Sequence, residues 1–248
     1  MSAATFAPDL FAGKVVLVVG GTTGIGAGIA EAFAELGAVV TVTGATAAEC
    51  ATARAAPAFA CRDAVAVDVR DEAAVARLLC DLPRLDALVN CAGIIRRGAE
   101  HDVRVFEEVL AINLTGTMRT CALAREKLKA SSGAIVNTAS VLSFFGGGLV
   151  PGYAASKGGV AQLTKSLAIA YATDGIRVNA IAPGWVDTAL TKALRDDAQR
   201  SAAILARTPL GRWAQPDDIA GAAVFLCSPA ARFITGTVLP VDGGYLIA

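Results

Sequence analysis

The strongest constraint on this chain lies near its start. An unbroken β-branched run, Val15 to Val19, leads straight into Gly20-Gly21-Thr22-Thr23-Gly24-Ile25-Gly26 and then into an apolar stripe at helical spacing. Apolar residues without alternation suit a parallel strand buried on both faces. Ile25, Ile29, Phe33 and Leu36 recur at spacings of four, four and three, the stripe of an amphipathic helix that Gly37 ends. Glycines at such a junction let the backbone turn sharply and approach a pyrophosphate, at which the helix aims its free N–H groups. A glycine triplet by itself is common in turns. Its place at the first strand-to-helix junction is what makes it a phosphate-loop candidate, with the spacing Gly20-xxx-Gly24-x-Gly26 rather than G-x-G-x-x-G.

The same rhythm continues along the chain. Val39 to Thr43, Ala64 to Val67, Leu85 to Val89, Ala134 to Thr138, Ile176 to Ala180 and Val238 to Val241 read as further strands, with helical patterns in most of the gaps. About seven strands alternating with helices predict an α/β fold, a doubly wound parallel sheet with helices on both faces. No composition break or long linker interrupts the 248 residues, so residues 1–248 read as one domain. With 54% hydrophobic and 18% charged residues, the chain can bury a core without disulfides or metals and is not disordered. Lys+Arg and Asp+Glu are both 22, which gives no long-range pull toward nucleic acid or an anionic membrane. No charge-free apolar run reaches the ~18 residues of a membrane span. Met1 to Lys14 has no basic n-region, so a cytoplasmic protein is expected. Residues 184–209 break the rhythm and read as a helical flap over a ligand crevice, being long for a plain connection. Pro216 with Asp217 and Asp218 then marks a helix N-terminus.

The six cysteines form no CxxC pair, and none lies near the only histidine, His101, so no metal site is expected and scattered free thiols read as apolar fillers. Other motifs point to proton transfer. Tyr153 and Lys157 stand four apart and share a helix face. A phenol is a poor base at neutral pH, and a nearby ammonium favours its ionised form, so such a pair can exchange a proton with an alcohol oxygen. Ser140 follows a strand and falls at the C-terminal edge of the sheet, where such folds bind ligands. Asn90-Cys91-Ala92-Gly93 follows the fourth strand, and Asn113 is an amide inside a helical stretch, which asks for a purpose.

Taken together, these residues resemble the short-chain dehydrogenase/reductase family over essentially the full length. Gly20, Gly24 and Gly26 match the family's glycine motif, with Val19 where a Thr usually precedes it. Asp68-Val69 matches the adenine-contacting pair, and Asn90-Cys91-Ala92-Gly93 the NNAG segment, with Cys91 in place of the second Asn. Asn113, Ser140, Tyr153 and Lys157 match the catalytic tetrad in order and spacing, and Pro183-Gly184 with Val186 and Thr188 matches the segment that contacts nicotinamide. The resemblance implies a Rossmann-type sheet. It implies Tyr153 as general acid/base, Ser140 orienting the substrate oxygen, Lys157 on the nicotinamide ribose and Asn113 anchoring a proton-relay water. It also implies a cofactor site that includes Thr22, Thr23, Ile25, Gly44, Ala45, Ala92 and Gly93. A homotetramer is expected, paired through the helices around Asn113–Lys129 and Tyr153–Tyr171.

The second strand ends Thr43-Gly44-Ala45-Thr46, with neither the acid of NAD-preferring relatives nor the cation of NADP-preferring ones. An uncompensated phosphate dianion favours NAD(H), and threonine hydroxyls leave NADP(H) open. The strings around Ile95, Arg96, Arg97, Leu142, Phe145 and Arg200 resemble the family's sugar-acid branch, which implies a small carbonyl or alcohol substrate bearing a carboxylate. Arg96, Arg97 and Arg200 are its candidate partners, with Ile95, Leu142, Phe145 and Trp185 as candidate pocket walls. The alternatives are a 3-oxoacyl-thioester reductase, for which Lys127 and Lys129 speak and Asp174 does not, and a non-catalytic nucleotide-binding scaffold.

Overall fold

The computed structural model describes residues 5–56, 61 and 63–248, so the first four residues of the N-terminal segment read above lie outside it. The elements run β1 (Val15–Val19), α1 (Gly24–Glu35), β2 (Val39–Gly44), α2 (Ala47–Ala55), β3 (Asp63–Ala66), α3 (Glu72–Asp81), β4 (Ala87–Asn90) and α4 (Val103–Leu110). They continue with a π-turn (Ala111–Thr115), α5 (Gly116–Ser131), β5 (Ala134–Thr138), a 3₁₀ turn (Val141–Ser143), α6 (Pro151–Tyr171), β6 (Arg177–Pro183), α7 (Lys192–Arg195), α8 (Ala198–Ala206), α9 (Pro216–Cys227) and β7 (Val238–Val241). The sheet has seven strands, all parallel, in the order β3-β2-β1-β4-β5-β6-β7. Strand order reverses between β1 and β4, and a crevice opens at the carboxyl ends of strands at such a switch point.

The alternation hidden inside β1 explains its unbroken run. Val16 and Val18 enter one core with Ile29, Phe33 and Leu36 of the α1 stripe and with Ile219 and Val224 of α9. Val15, Leu17 and Val19 enter a second core with Leu78, Leu128 and Leu167 of α3, α5 and α6. Both faces of β1 are therefore dry, as the sequence requires.

Strand ends shift from the expected ones for local reasons. Leu85 is fully buried but outside the ladder. β4 starts at Ala87; Asp86 before it bonds both neighbouring strands through its backbone, to Val15 O at 2.8 Å and from Ala134 N at 3.0 Å, while its carboxylate accepts from Val15 N at 3.0 Å and pairs with Arg84 and Lys14. β6 runs on to Pro183 because β7 pairs beside it, Ala180 with Val238 through Pro183 with Val241. At Pro216 the expected helix starts, with a capping box between Gln215 and Asp218. Residues 184–209 hold α7 and α8, anchored by a bridge between Val186 and Ala214.

One polar seam crosses this apolar interior. Thr120 Oγ1 donates to Asn90 Oδ1 at 2.7 Å, Asn90 Nδ2 to Asn137 Oδ1 at 2.9 Å, and Asn137 Nδ2 to Thr164 Oγ1 at 3.0 Å. All four residues are buried. The seam ties α5, β4, β5 and α6 in one register, since slipping any element leaves buried polar groups unpaired at about 1–3 kcal/mol each.

The phosphate loop packs with no room to spare. A Cβ at Gly26 would stand 2.2 Å from the Gly20 carbonyl oxygen, a backbone atom that cannot swing away. Gly26→Ala is expected to lose roughly 1–3 kcal/mol through overpacking, more than alanine's helix preference returns. A melting temperature equal to or above wild type would contradict this.

Candidate active site

Two cavities meet at the C-terminal edge of the sheet, and Tyr153 lines both. The larger, about 460 Å³, runs from the glycine loop past the end of β2 and across β4 to Lys157. The smaller, about 280 Å³, is walled by the 3₁₀ turn after β5, the loop before α6 and the segment after β6.

The larger cleft gathers most of the expected cofactor residues. Gly20, Thr22, Thr23, Gly24, Ile25 and Gly26 line one part of it, Gly44, Ala45, Asp68 and Val69 another, and Ala92, Gly93, Thr188 and Lys157 the rest. Its shape fits a dinucleotide by two observations. Gly20 has φ +76°, and a Cβ there would meet Ala92 N at 2.5 Å, so only glycine lets β1 and β4 close beneath the cleft. α1 begins at Thr23 with no side-chain cap and no acid in its first turn, which leaves its N–H groups directed at the cleft for an anion.

Four expected cofactor residues do not line this cleft. Asn90 points into the polar seam, where both ends of its amide are used. Pro183 is buried in the β6–β7 ladder, and Val186 belongs to the apolar core. Gly184 lines the smaller cavity instead. Glu49, missed by the sequence reading, lines the end of the cleft near β2, and its Oε2 accepts from Ala45 N at 2.8 Å. The signal was present in Thr46-Ala-Ala-Glu49, a helix-capping pattern in which Thr46 accepts from Glu49 N. Arg70 also lines the cleft, but Asp68 holds it in a two-pronged ion pair. Thr43 is engaged as well, its Oγ1 accepting from Gly20 N at 3.1 Å.

Ser140, Tyr153 and Lys157, expected to carry proton transfer, come together where the cavities join. Ser140 and Tyr153 line the same cavity, where the Ser140 Oγ accepts from Leu142 N at 3.2 Å. Lys157 is 4% exposed, and its Nζ sits 5.6 Å from the centre of the Tyr153 ring while donating to the Thr138 carbonyl at 2.6 Å. Asn113 is joined to the backbone of Tyr153 through Ser156, its Nδ2 donating to Ser156 Oγ at 3.1 Å and Ser156 Oγ to the Tyr153 carbonyl at 2.7 Å. Asn113 Oδ1 accepts from Ile94 N at 2.8 Å and its Nδ2 donates to Ile94 O at 2.9 Å, so it pins the loop after β4. The helical stretch around it is a π-turn between α4 and α5, a departure that widens the backbone where the amide is needed. Asn113 and Lys157 flank Gly93 from two sides, at 3.3 and 3.7 Å from where its Cβ would be. Ser143, which the sequence reading passed over, accepts from Ser140 N and donates to the Lys157 carbonyl, coupling the 3₁₀ turn to α6.

The electrostatics differ from the simple pair expected. Burial pushes the Tyr153 phenol up, Ser140 pulls it down, and Glu100 and Arg97 oppose each other with smaller effects. Burial pushes Lys157 itself down to about 8. Cys91, beside it, is pushed up to about 11 by burial and stays a thiol.

In the smaller cavity Ile95, Leu142, Phe145 and Trp185 stand as walls, together with Arg97. Arg96 and Arg200 are not among the lining residues. The chain turns from Arg96 to Ala99, with Ala99 N donating to Arg96 O at 2.9 Å; Arg96 points away to pair with Glu108 at 3.5 Å, and Arg97 takes the cavity face. Arg200 pairs with Asp197 at 3.3 Å in the first turn of α8. Partial burial first, and the charge of Arg200 next, hold the Arg97 guanidinium below the usual arginine range.

Comparison with known proteins gives matches over almost the whole chain. The family model described as Enoyl-(Acyl carrier protein) reductase covers residues 19–246. The 2-dehydro-3-deoxy-D-gluconate 5-dehydrogenase of Bacillus subtilis (strain 168) is 46% identical over 244 residues, 94% of this chain and 95% of that protein. Its namesake from Pseudoalteromonas atlantica is 44% identical over 250 residues, 94% of this chain and 96% of that protein. Among solved structures, a gluconate 5-dehydrogenase from Burkholderia cenocepacia J2315 in complex with NADP and tartrate superposes with a TM-score of 0.88 at 34% identity, covering 97% of this chain and 98% of that one.

The lowered Lys157 gives a direct test of the site's electrostatics. In carbon-13 NMR of protein labelled at the lysine ε-carbon, one resonance should titrate near 8 and vanish in Lys157→Met. A Lys157 signal titrating at the ordinary lysine value of about 10.4 would show that burial does not act as described.

Proposed function

This chain belongs to the short-chain dehydrogenase/reductase family and is an NAD(P)-dependent oxidoreductase of secondary alcohols and ketones; we propose that its substrate is a small keto or hydroxy sugar acid and that Tyr153 is its general acid/base. The observation that carries this reading is the meeting of a dinucleotide-shaped cleft and a small apolar cavity with one arginine at a single tyrosine.

When bound, the nicotinamide supplies or accepts the hydride. In reduction the Tyr153 hydroxyl gives its proton to the substrate oxygen as charge develops there, and in oxidation Tyr153 takes it back. Ser140, which lines the same cavity as Tyr153, orients that oxygen. Lys157 would hold the nicotinamide ribose, and its lowered proton affinity, about 8, suits a proton relay. Asn113 fixes the loop after β4 and anchors the relay water. The glycine loop and the first turn of α1 would hold the pyrophosphate, Asp68-Val69 the adenine, and Thr188 the nicotinamide end of the cofactor. Residues 184–209 act as the substrate flap, with Trp185, Leu190 and Thr191 facing the cavity.

NAD(H) is the preferred cofactor in this reading. The Glu49 carboxylate lines the cleft near β2, and among the described residues lining that end the one cation, Arg70, is held by Asp68, so an added phosphate dianion would face net negative charge from these groups. Arg97 receives the substrate carboxylate. The thioester alternative loses its basic surface: Arg125 and Lys129 both pair with Asp174, at 2.6 and 2.9 Å, and Lys127 donates to the Leu82 carbonyl. We further read the protein as a cytoplasmic homotetramer; apolar Met118 on α5 and Ile169 on α6 stand exposed on the helices that would pair.

Initial rates decide among these readings. A keto-deoxy sugar acid with NADH should outpace an acetoacetyl thioester with NADPH by at least about tenfold, roughly 1.4 kcal/mol of discrimination. Exchanging the cofactors between the two substrates tests the NAD(H) preference separately. A thioester preference would leave only the family-level activity standing. Tyr153→Phe should lower kcat by about a hundredfold or more while cofactor binding, followed by fluorescence, persists. Arg97→Ala should raise KM for the sugar acid by roughly tenfold to a hundredfold, the loss of a charge-assisted hydrogen bond worth about 1.5–3 kcal/mol. An unchanged KM would remove Arg97 from the site.

A further inference from the structure

Glu100 is the one buried carboxylate close to the reaction centre that the steps above leave without a role. Its residue is 1% exposed, and among the described residues no ion pair holds it. Both oxygens accept backbone hydrogen bonds instead. Oε1 accepts from Arg96 N at 2.8 Å, and Oε2 accepts from Tyr153 N at 2.7 Å. Tyr153 N lies in the first turn of α6, whose N-cap residue Val150 offers no side-chain acceptor. A carboxylate from another part of the chain thus fills the place of a helix cap, where the helix dipole also favours negative charge.

A cap alone needs no such arrangement. Asp71 and Asp197 cap α3 and α8 from the adjacent position at the surface. Burying a carboxylate costs several kcal/mol unless it is fully bonded, so a long-range buried one is retained for what it joins. Here it joins the segment that bears Ile95 and Arg97 to the helix that bears Tyr153. Two neighbouring bonds close the same seam: Gly98 N donates to Leu149 O at 2.7 Å, and His101 Nε2 bonds Gly148 O at 2.9 Å.

We propose that Glu100 is a positioning residue of the reaction centre, fixing Tyr153 against Arg97 by holding both of their segments through one carboxylate. The proposal rests on the reading of Tyr153 as the acid/base. It carries a second consequence, because charge acts as well as reach. The charged groups facing Tyr153 are Glu100 and Arg97 from the loop after β4 and Lys157 from its own helix, with Arg200 of α8 acting on Arg97. Glu100 pushes the phenol up and Arg97 pulls it down.

The test compares wild type, Glu100→Gln, Glu100→Asp and Tyr153→Phe across pH, oxidising D-gluconate or the best hydroxy sugar acid of the panel with NAD+. Glutamine presents one acceptor and one donor, so one backbone N–H loses its partner. Its kcat/KM should fall by about tenfold or more, and the rise of rate with pH should move to lower pH, because the charge that holds the phenol up is gone. Aspartate keeps the charge but cannot span both N–H groups. Its kcat/KM should fall similarly while the rise stays in place. A Glu100→Gln enzyme with wild-type kcat, KM and pH rise overturns the proposal, and so does a loss of rate with an unmoved rise, which marks a purely structural role. If Glu100→Gln does not fold, Glu100→Asp carries the test, and a rate within about twofold of wild type overturns it. Full turnover in Tyr153→Phe would instead overturn the acid/base reading underneath.

Discussion

Through the middle of the sheet runs a line of buried polar side chains from which the reaction centre hangs. Thr120, Asn90, Asn137 and Thr164 each satisfy the next, and together they hold α5, β4, β5 and α6 in one register. The residues of the proposed chemistry sit just past this seam. Thr138, whose carbonyl receives Lys157, follows Asn137 directly, and Ser140 lies two residues further on. Lys157 is two turns before Thr164 on α6. An apolar core of the same shape would be as dry, but it would tolerate a slip along the strand. Paired amides do not, since a slip leaves their donors and acceptors unsatisfied.

Above that frame the site is assembled by loops held from several sides. Asn113 takes Ile94 by both its backbone groups. Ser143 takes the Lys157 carbonyl. Glu100 takes Arg96 and Tyr153. Each bond joins an element on one side of the cleft to an element on another, so the geometry between Tyr153, Ser140 and Arg97 does not rest on any single loop. Preorganisation of this kind lets a site work without rearranging at the moment of proton transfer. The segment 184–209 is different in character: two short helices with many exposed residues, anchored by the bridge at Val186.

The electrostatic balance at the centre follows from depth more than from pairing. Lys157 and Tyr153 share a helix face, yet desolvation governs both, lowering one and raising the other. Each is shifted toward its neutral form, so their proton affinities move apart: the lysine falls to about 8 while the phenol rises. Burial brings the lysine closer to neutrality, and Ser140 and Arg97 work against the rise of the phenol.

Much of this was legible in the chain. The unbroken Val15–Val19 run, the stripe from Ile25 to Leu36 and the glycines between them dictate a buried parallel strand, a helix and a phosphate loop, because each depends on local spacing and steric freedom. The order of Asn113, Ser140, Tyr153 and Lys157 likewise carries the family resemblance from which proton chemistry at the sheet's edge is proposed. What the sequence could not determine was which way side chains turn. Arg96 and Arg97 are adjacent and identical in kind, and only the path of the loop after β4 sends one to Glu108 and the other into the cavity. Asn90 reads as a cofactor residue until its partner Asn137, distant in the chain, is brought alongside by β4–β5 pairing. Glu100 sits in an unremarked polar stretch, and its burial exists only because α6 begins where it does. Local spacing determined the elements and their order; long-range packing decided which polar groups face the substrate and which hold the frame, since satisfaction of a buried hydrogen bond is a property of the assembled fold.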